Sequence, residues 1–317
     1  MRARVTIVLI LFLAISAWSQ TSKKGFDLEN ATIPIEDIKD GGPPKDGIPA
    51  IAEATFLPIS QATYLKAGDL VMSVSYAGTT RAYPIRILNH HEIVNDQIED
   101  LAFSVTYCPL CGTGMVFDRT IEGEITSFGV SGLLYQSDVL LYDRATESLW
   151  SQLMLKSISG ERVGHSLRWL PSEFMTWSSW KELYPDGEVI SDKTGYRRNY
   201  KRTPYKGYET SDDVYFPVPF YRKDLGIKDW ILGVEINGES TAYDLRLFES
   251  GRVYGDAVGG QSIKIQYDPQ SRYASVTDAK SGEAVSHVFA FWFAWQAFHP
   301  DTRLLSSKEA VERKDDL

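Results

Sequence analysis

Set against itself at an offset of 160 residues, the chain aligns over two long segments without a gap, and no other sequence feature restricts the available folds as much. Asp69 falls on Asp229, Gly78 on Gly238, Ala82-Tyr83 on Ala242-Tyr243, and Ile85-Arg86-Ile87 on Leu245-Arg246-Leu247. Asp96 then falls on Asp256, Tyr107 on Tyr267, Pro109 on Pro269 and Asp118 on Asp278. Each copy reads as a short apolar strand, a Gly turn and a second strand: 70–76, Ala77-Gly78 and 79–83, then 231–236, Asn237-Gly238 and 240–243. Asn-Gly between such runs is a hairpin signal, because both residues tolerate the positive φ of a type I′ turn. A further strand follows in each copy, at 102–107 and 262–267. The expected fold class is α+β, predominantly β, with two related β-rich lobes and a few helices between and after them.

Between the copies Pro171-Ser172 precedes Phe174, Trp177, Trp180, Leu183 and Tyr184. That 3-and-4 spacing predicts an amphipathic helix capped by Ser172 and ending before Pro185. Residues 193–219 are polar and rich in Tyr, Pro and Gly, as expected of a surface connection. The aromatic run 287–298 is too short to span a bilayer and reads as a buried helix or strand. The boundaries expected are a leader at 1–19, an N-terminal extension at 20–54, the first repeat at 55–160, a helical and loop connection at 161–225, the second repeat at 226–303 and a polar tail at 304–317.

Met1-Arg2-Ala3-Arg4 followed by the apolar run 5–17 has the n-region and h-region of a secretory leader, and Ala17-Trp18-Ser19 supplies small residues for cleavage after Ser19. The run falls short of the roughly 20 residues of a membrane helix, so a periplasmic or secreted protein with no membrane span is expected. Losing Arg2 and Arg4 with the leader takes the net charge from -9 to -11, which argues against a nucleic-acid partner. With 43% apolar residues the chain can build a core without a disulfide framework, and its two cysteines could not supply one.

Those two cysteines stand where the copies diverge. Cys108-Pro109-Leu110-Cys111 aligns with Asp268-Pro269-Gln270-Ser271, so one copy carries thiols and the other none. Cys108-Pro109-Leu110-Cys111-Gly112 has the form of a metal knuckle, in which two thiolates face one ion and glycine lets the backbone fold around it. Two cysteines at this spacing also fit a redox dithiol or an inert disulfide. A tetrahedral metal site needs two more ligands. Among the five histidines His91 is the first candidate, with Glu92 and Asp96 as carboxylates to orient it, and His165 is a second. Met115 adds a thioether, and a thiolate, imidazole and thioether set favours copper, with zinc as the alternative; core packing is the bland account of Met115.

The stretches 91–96, 105–112, 131–135, 149–152 and 291–295 together resemble the exported prokaryotic domain-of-unknown-function family numbered 3179, over about residues 55–303. The resemblance implies kinship and brings no activity with it. The family-like segment 142–152 sets Asp143, Arg144 and Gln152 beside Trp150, either lining a pocket or forming a turn ion pair over a core tryptophan. His299 and Asp301 read as the polar stop of the aromatic run, the alternative being a ligand and its neighbour. Arg197, Arg198, Lys201, Arg202 and Lys206, interleaved with tyrosines, read as a solvated face, the alternative being an anion site.

Three function classes follow: an exported metal-binding protein serving as carrier or oxidoreductase centre, a periplasmic thiol/disulfide oxidoreductase, and a glycan- or protein-binding module with a structural disulfide. The expected partners are a metal ion or small molecule, with a periplasmic protein as the third. No nucleophile elbow, phosphate loop, His-Glu-x-x-His helix or Rossmann glycine pattern is present.

Overall fold

The structure, a computed structural model, describes residues 21–306; the leader 1–19 and nearly all of the tail 304–317 lie outside the described residues. The described chain is predominantly β, with three α-helices of seven residues each, Ile85–His91, Trp177–Leu183 and Trp292–Phe298. None of its helices is long and apolar enough to cross a membrane. Five sheets of three to five strands, read as the blades of a five-bladed β-propeller, make up the body, with two small two-stranded ribbons beside them.

The predicted hairpins form. Leu70–Tyr76 pairs with Thr79–Pro84, and Trp230–Ile236 with Glu239–Asp244. Each is closed by two residues at positive φ, Ala77-Gly78 and Asn237-Gly238. Each hairpin leads into a three-stranded meander: Ile93–Ile98, Leu101–Cys108 and Thr113–Asp118, then Val253–Val258, Gln261–Asp268 and Tyr273–Asp278. All five strands recur 160 residues later with the same bounds and register: Phe103 faces Asp118 as Ile263 faces Asp278. A polar pair recurs too, Tyr83 Oη donating to Asp96 at 2.5 Å and Tyr243 Oη to Asp256 at 2.7 Å.

A second recurrence, at an offset of 115, escaped the ungapped alignment. The strand Glu173–Thr176, helix Trp177–Leu183 and strand Glu188–Ile190 return as Val288–Phe291, Trp292–Phe298 and Arg303–Leu305. Trp177, Trp180 and Pro185-Asp186 fall on Trp292, Trp295 and Pro300-Asp301. In each case the first strand pairs antiparallel with the opening strand of its hairpin and the last pairs parallel with the second. The offset changes because residues 119–172 of the first half hold an extra sheet that 279–287 lacks: Phe128–Tyr135, Asp138–Asp143, Leu149–Ser151 and Lys156–Ser159, joined by Ile38–Asp40.

The halves interlock instead of standing apart as two lobes. Thr176 N donates to Ser271 O and Phe291 N to Cys111 O, both at 2.8 Å, so each half's outer strand binds the other half's turn. The largest apolar cluster likewise draws Tyr83 and Val105 from one half and Leu232 and Ile265 from the other.

Local expectations need two corrections. Glu173–Thr176 is a strand, so the helix begins at Trp177 and its cap is Thr176, not Ser172; strand pairing with Leu70–Tyr76 overrides the helical spacing there. The run 287–298 is strand and then helix, turning at Phe291-Trp292. Within 193–219 there is neither helix nor strand, yet Tyr208 from this connection is fully buried.

Candidate metal centre

The strand Leu101–Cys108 ends at the knuckle and Thr113–Asp118 leaves from it, with Cys108 opposite Thr113. Cys111 N donates to Cys108 O at 3.2 Å, which folds the turn back. Gly112 holds φ +68, and a Cβ there would lie 2.7 Å from the Trp230 ring, so both conformation and space require glycine. Tyr208 Oη donates to Leu110 O at 3.0 Å from the connection above, and Lys228 Nζ sits 3.3 Å over the Tyr208 ring. The polar connection thereby covers the knuckle.

A third donor comes from the extra sheet. Its hairpin Phe128–Tyr135/Asp138–Asp143 turns on Gln136 and Ser137, both at positive φ, and this tight turn delivers Asp138 to the thiols. Ligand atoms of Cys108, Cys111 and Asp138 all lie within 4.8 Å of one another, a group that can hold a metal ion. The three residues are at most 2% exposed, and both thiols are free. Leu153 N donates to Asp138 Oδ2 at 3.1 Å. Thr113 Oγ1 lies 3.4 Å from Oδ1 and donates to Gln152 at 2.7 Å, while Gln152 Nε2 donates to Thr106 Oγ1 at 2.8 Å. Leu153 N thus holds the carboxylate at the mouth of the knuckle, with Thr113, itself held by Gln152, beside it.

Burial dominates the electrostatics. It pushes the Cys108 thiol up and the Cys111 thiol further up, and lifts Asp138 to about 7. Glu92, which is left-handed at the end of the helix Ile85–His91, is raised by burial to about 8; Tyr205 Oη donates to it at 3.4 Å. Glu92 and Asp138 both add to the rise at Cys108, so the four acids are neighbours that oppose one another's ionisation. A buried cluster of this kind is relieved by protons or by a cation.

The other predicted residues have partners of their own or pack in the core. His91 is buried, but Nδ1 lies 2.7 Å from Pro49 O and Nε2 2.6 Å from Tyr200 Oη. A carbonyl only accepts, so Nδ1 carries the proton and Nε2 accepts from the tyrosine, leaving no lone pair for an ion. His165 is bound to Glu122 at 2.9 Å and to Arg162 O at 3.0 Å, outside the thiol–carboxylate group. Asp96 accepts from Arg81 and Tyr83 instead of orienting His91. Met115 is buried in the apolar cluster that also contains both cysteines. Within 142–152, Asp143 pairs with Arg162 and accepts from Trp150, Arg144 pairs with Asp46, and Gln152 alone reaches the centre.

Sequence reasoning missed Asp138, Gln152's role and Tyr208. Asp138 stands next to the family-like stretch 131–135, but only the pairing of distant strands shows which way it faces.

No curated protein and no solved structure matches the chain. A family model described as protein of unknown function (DUF3179) matches residues 45–302. That match takes in both halves up to the last strand, the extra sheet apart from Ile38–Asp40 and every group of the centre, and the chain belongs to this family.

Proposed function

We propose that this is an exported metal-binding protein holding a divalent ion, zinc in preference to copper, on Cys108, Cys111 and Asp138. One observation carries the reading: two thiols from the knuckle and a carboxylate from a different sheet converge, buried, within 4.8 Å. Donors about 2.0–2.3 Å from a tetrahedral ion stand roughly 3.5 Å apart, a spacing within the 4.8 Å that bounds the group. The donor set supports zinc. Two thiolates with a carboxylate oxygen suit zinc better than copper(I). Three protein ligands leave a fourth position, with Glu92 a further buried acid beside them.

Zinc supplies Lewis acidity when bound, while the chain's own part is positioning. Leu153 N fixes the carboxylate, Gly112 lets the knuckle close, and Tyr208 with the connection excludes water. The thiol-redox reading loses ground, because a reactive cysteine needs an accessible thiol of lowered pKa and these are buried with raised ones. The recurrence of strand bounds and registers supports descent from a duplicated unit in which the first copy gained the knuckle thiols and the sheet that supplies Asp138.

The test is metal content by inductively coupled plasma mass spectrometry after native export. About one zinc per chain is expected, absent from Cys108→Ser/Cys111→Ser and bound at least tenfold more weakly by Asp138→Asn. Protein that stays metal-free after reduction and exposure to zinc and copper(I) would sink the proposal; zinc retained by Asp138→Asn would remove the carboxylate from the ligand set.

A further inference from the structure

The knuckle turn and its counterpart in the second half meet on one indole ring. A Cβ at Gly112 would lie 2.7 Å from Trp230, and Arg272, which stands 160 residues further on, has its Cζ 4.6 Å from the centroid of the same ring. Both turn residues are left-handed, at φ +68 and +56. An arginine thus occupies a backbone position that glycine adopts with less strain, where the other copy does have glycine. Beside it opens a groove of about 640 Å³, walled on its apolar side by Trp230, Leu245, Phe248 and Pro269. Arg272 and Trp230 are partly exposed and Pro269 is exposed, so a molecule in the groove can touch all three.

The charged groups of the lining differ in what they are bonded to. Arg246 Nη2 pairs with Asp229 at 2.9 Å and with Asp244 at 2.8 Å, so both acids already have a cation. Lys228 Nζ donates to the carbonyls of Tyr208 and Asp213. Among the described residues no carboxylate pairs with Arg272, whose guanidinium is held over the rings of Trp230 and Phe174. Its polar neighbour is the Tyr267 phenol, which burial keeps neutral and which leaves the charge unmatched. A guanidinium placed this way keeps N–H donors for a planar partner with two oxygens, the geometry of a carboxylate.

From these groups we infer that the groove binds an organic monocarboxylate with an apolar body. Its two oxygens accept from Arg272, and its hydrocarbon part lies along Trp230 and Pro269. One negative charge is specified, because one guanidinium is unmatched and the Asp229 and Asp244 carboxylates of the same lining repel a dianion. An apolar body is specified because the wall beside the guanidinium is apolar. The groove shares Trp230 with the knuckle but none of the proposed metal ligands, so this binding does not depend on an ion there.

Saturation-transfer NMR on the full chain tests this with benzoate and its neutral analogue benzyl alcohol at ~10 mM, ten times a millimolar Kd, and with inorganic phosphate as competitor at the same concentration. Benzoate is expected to bind, benzyl alcohol at least tenfold more weakly, and phosphate should not displace benzoate. Arg272→Gly gives the turn the residue that the first copy has, so it should keep the parent Tm while weakening benzoate at least tenfold. Arg272→Gln, with the same loss expected, separates the charge from the backbone change. No binding of benzoate, equal binding of benzyl alcohol, displacement by phosphate, or benzoate binding unchanged in either folded Arg272 variant would each overturn the inference.

Discussion

His91 shows how a residue singled out for chemistry can have a structural part with a measurable signature. Its ring is buried and bonded at both nitrogens, and burial lowers its pKa to about 4. In the unfolded chain it takes a proton near pH 6.5. Between those values the unfolded state binds more protons, so this group's contribution to stability falls as pH falls, by about 2 kcal/mol at pH 5. Urea denaturation of the parent and His91→Gln should therefore show a stability gap that is widest near pH 8 and about 2 kcal/mol narrower at pH 5. A gap independent of pH would mean that the folded imidazole titrates normally. The buried acids shift in the opposite sense but are common to both proteins, so they cancel from the comparison.

Among the elements, the two tryptophan helices make a natural pair. Thr176 Oγ1 accepts from Ser179 N and caps Trp177–Leu183, whereas Phe291 offers no side-chain cap to Trp292–Phe298. Thr176→Ala should cost about 1 kcal/mol, or roughly 2–4 °C in Tm for a chain of this size. Its backbone bond to Ser271 O is unaffected by the change. A melting temperature equal to the parent's would show that packing of Trp177 and Trp180 alone holds the helix. At this scale the hairpins were legible because Ala77-Gly78 and Asn237-Gly238 carry their own turn chemistry. The boundary at Thr176 was not, since Phe174 satisfies a helical and an extended pattern equally and the neighbouring strand decides between them.

Considered whole, the molecule is held by exchange between its halves. Phe291 completes a hydrogen bond to the knuckle through Cys111 O, and Thr176 does the same at Ser271. Neither half buries its apolar face without the other. Calorimetry of the protein should thus give one cooperative transition, and residues 21–190 or 226–306 expressed alone should lack the near-ultraviolet circular dichroism of packed tryptophans. Two resolved transitions, or a folded fragment, would show that the halves are independent domains. The same exchange places the outer strand of the second half against the cysteine knuckle of the first.

What the sequence determined by itself is what local chemistry encodes: the β-rich class, the hairpins, the 160-residue recurrence and a Cys-Pro-x-Cys-Gly turn able to point two sulfurs one way. What only the tertiary structure decided is everything that depends on residues far apart in the chain. Asp138 reaches Cys108 because an extra sheet folds back across the 29 intervening positions, and His91 turns from the knuckle toward Pro49 and Tyr200. A ligand's neighbours in space are set by strand pairing and core packing, whose specificity comes from summed burial across the molecule and leaves no mark in the spacing of adjacent residues.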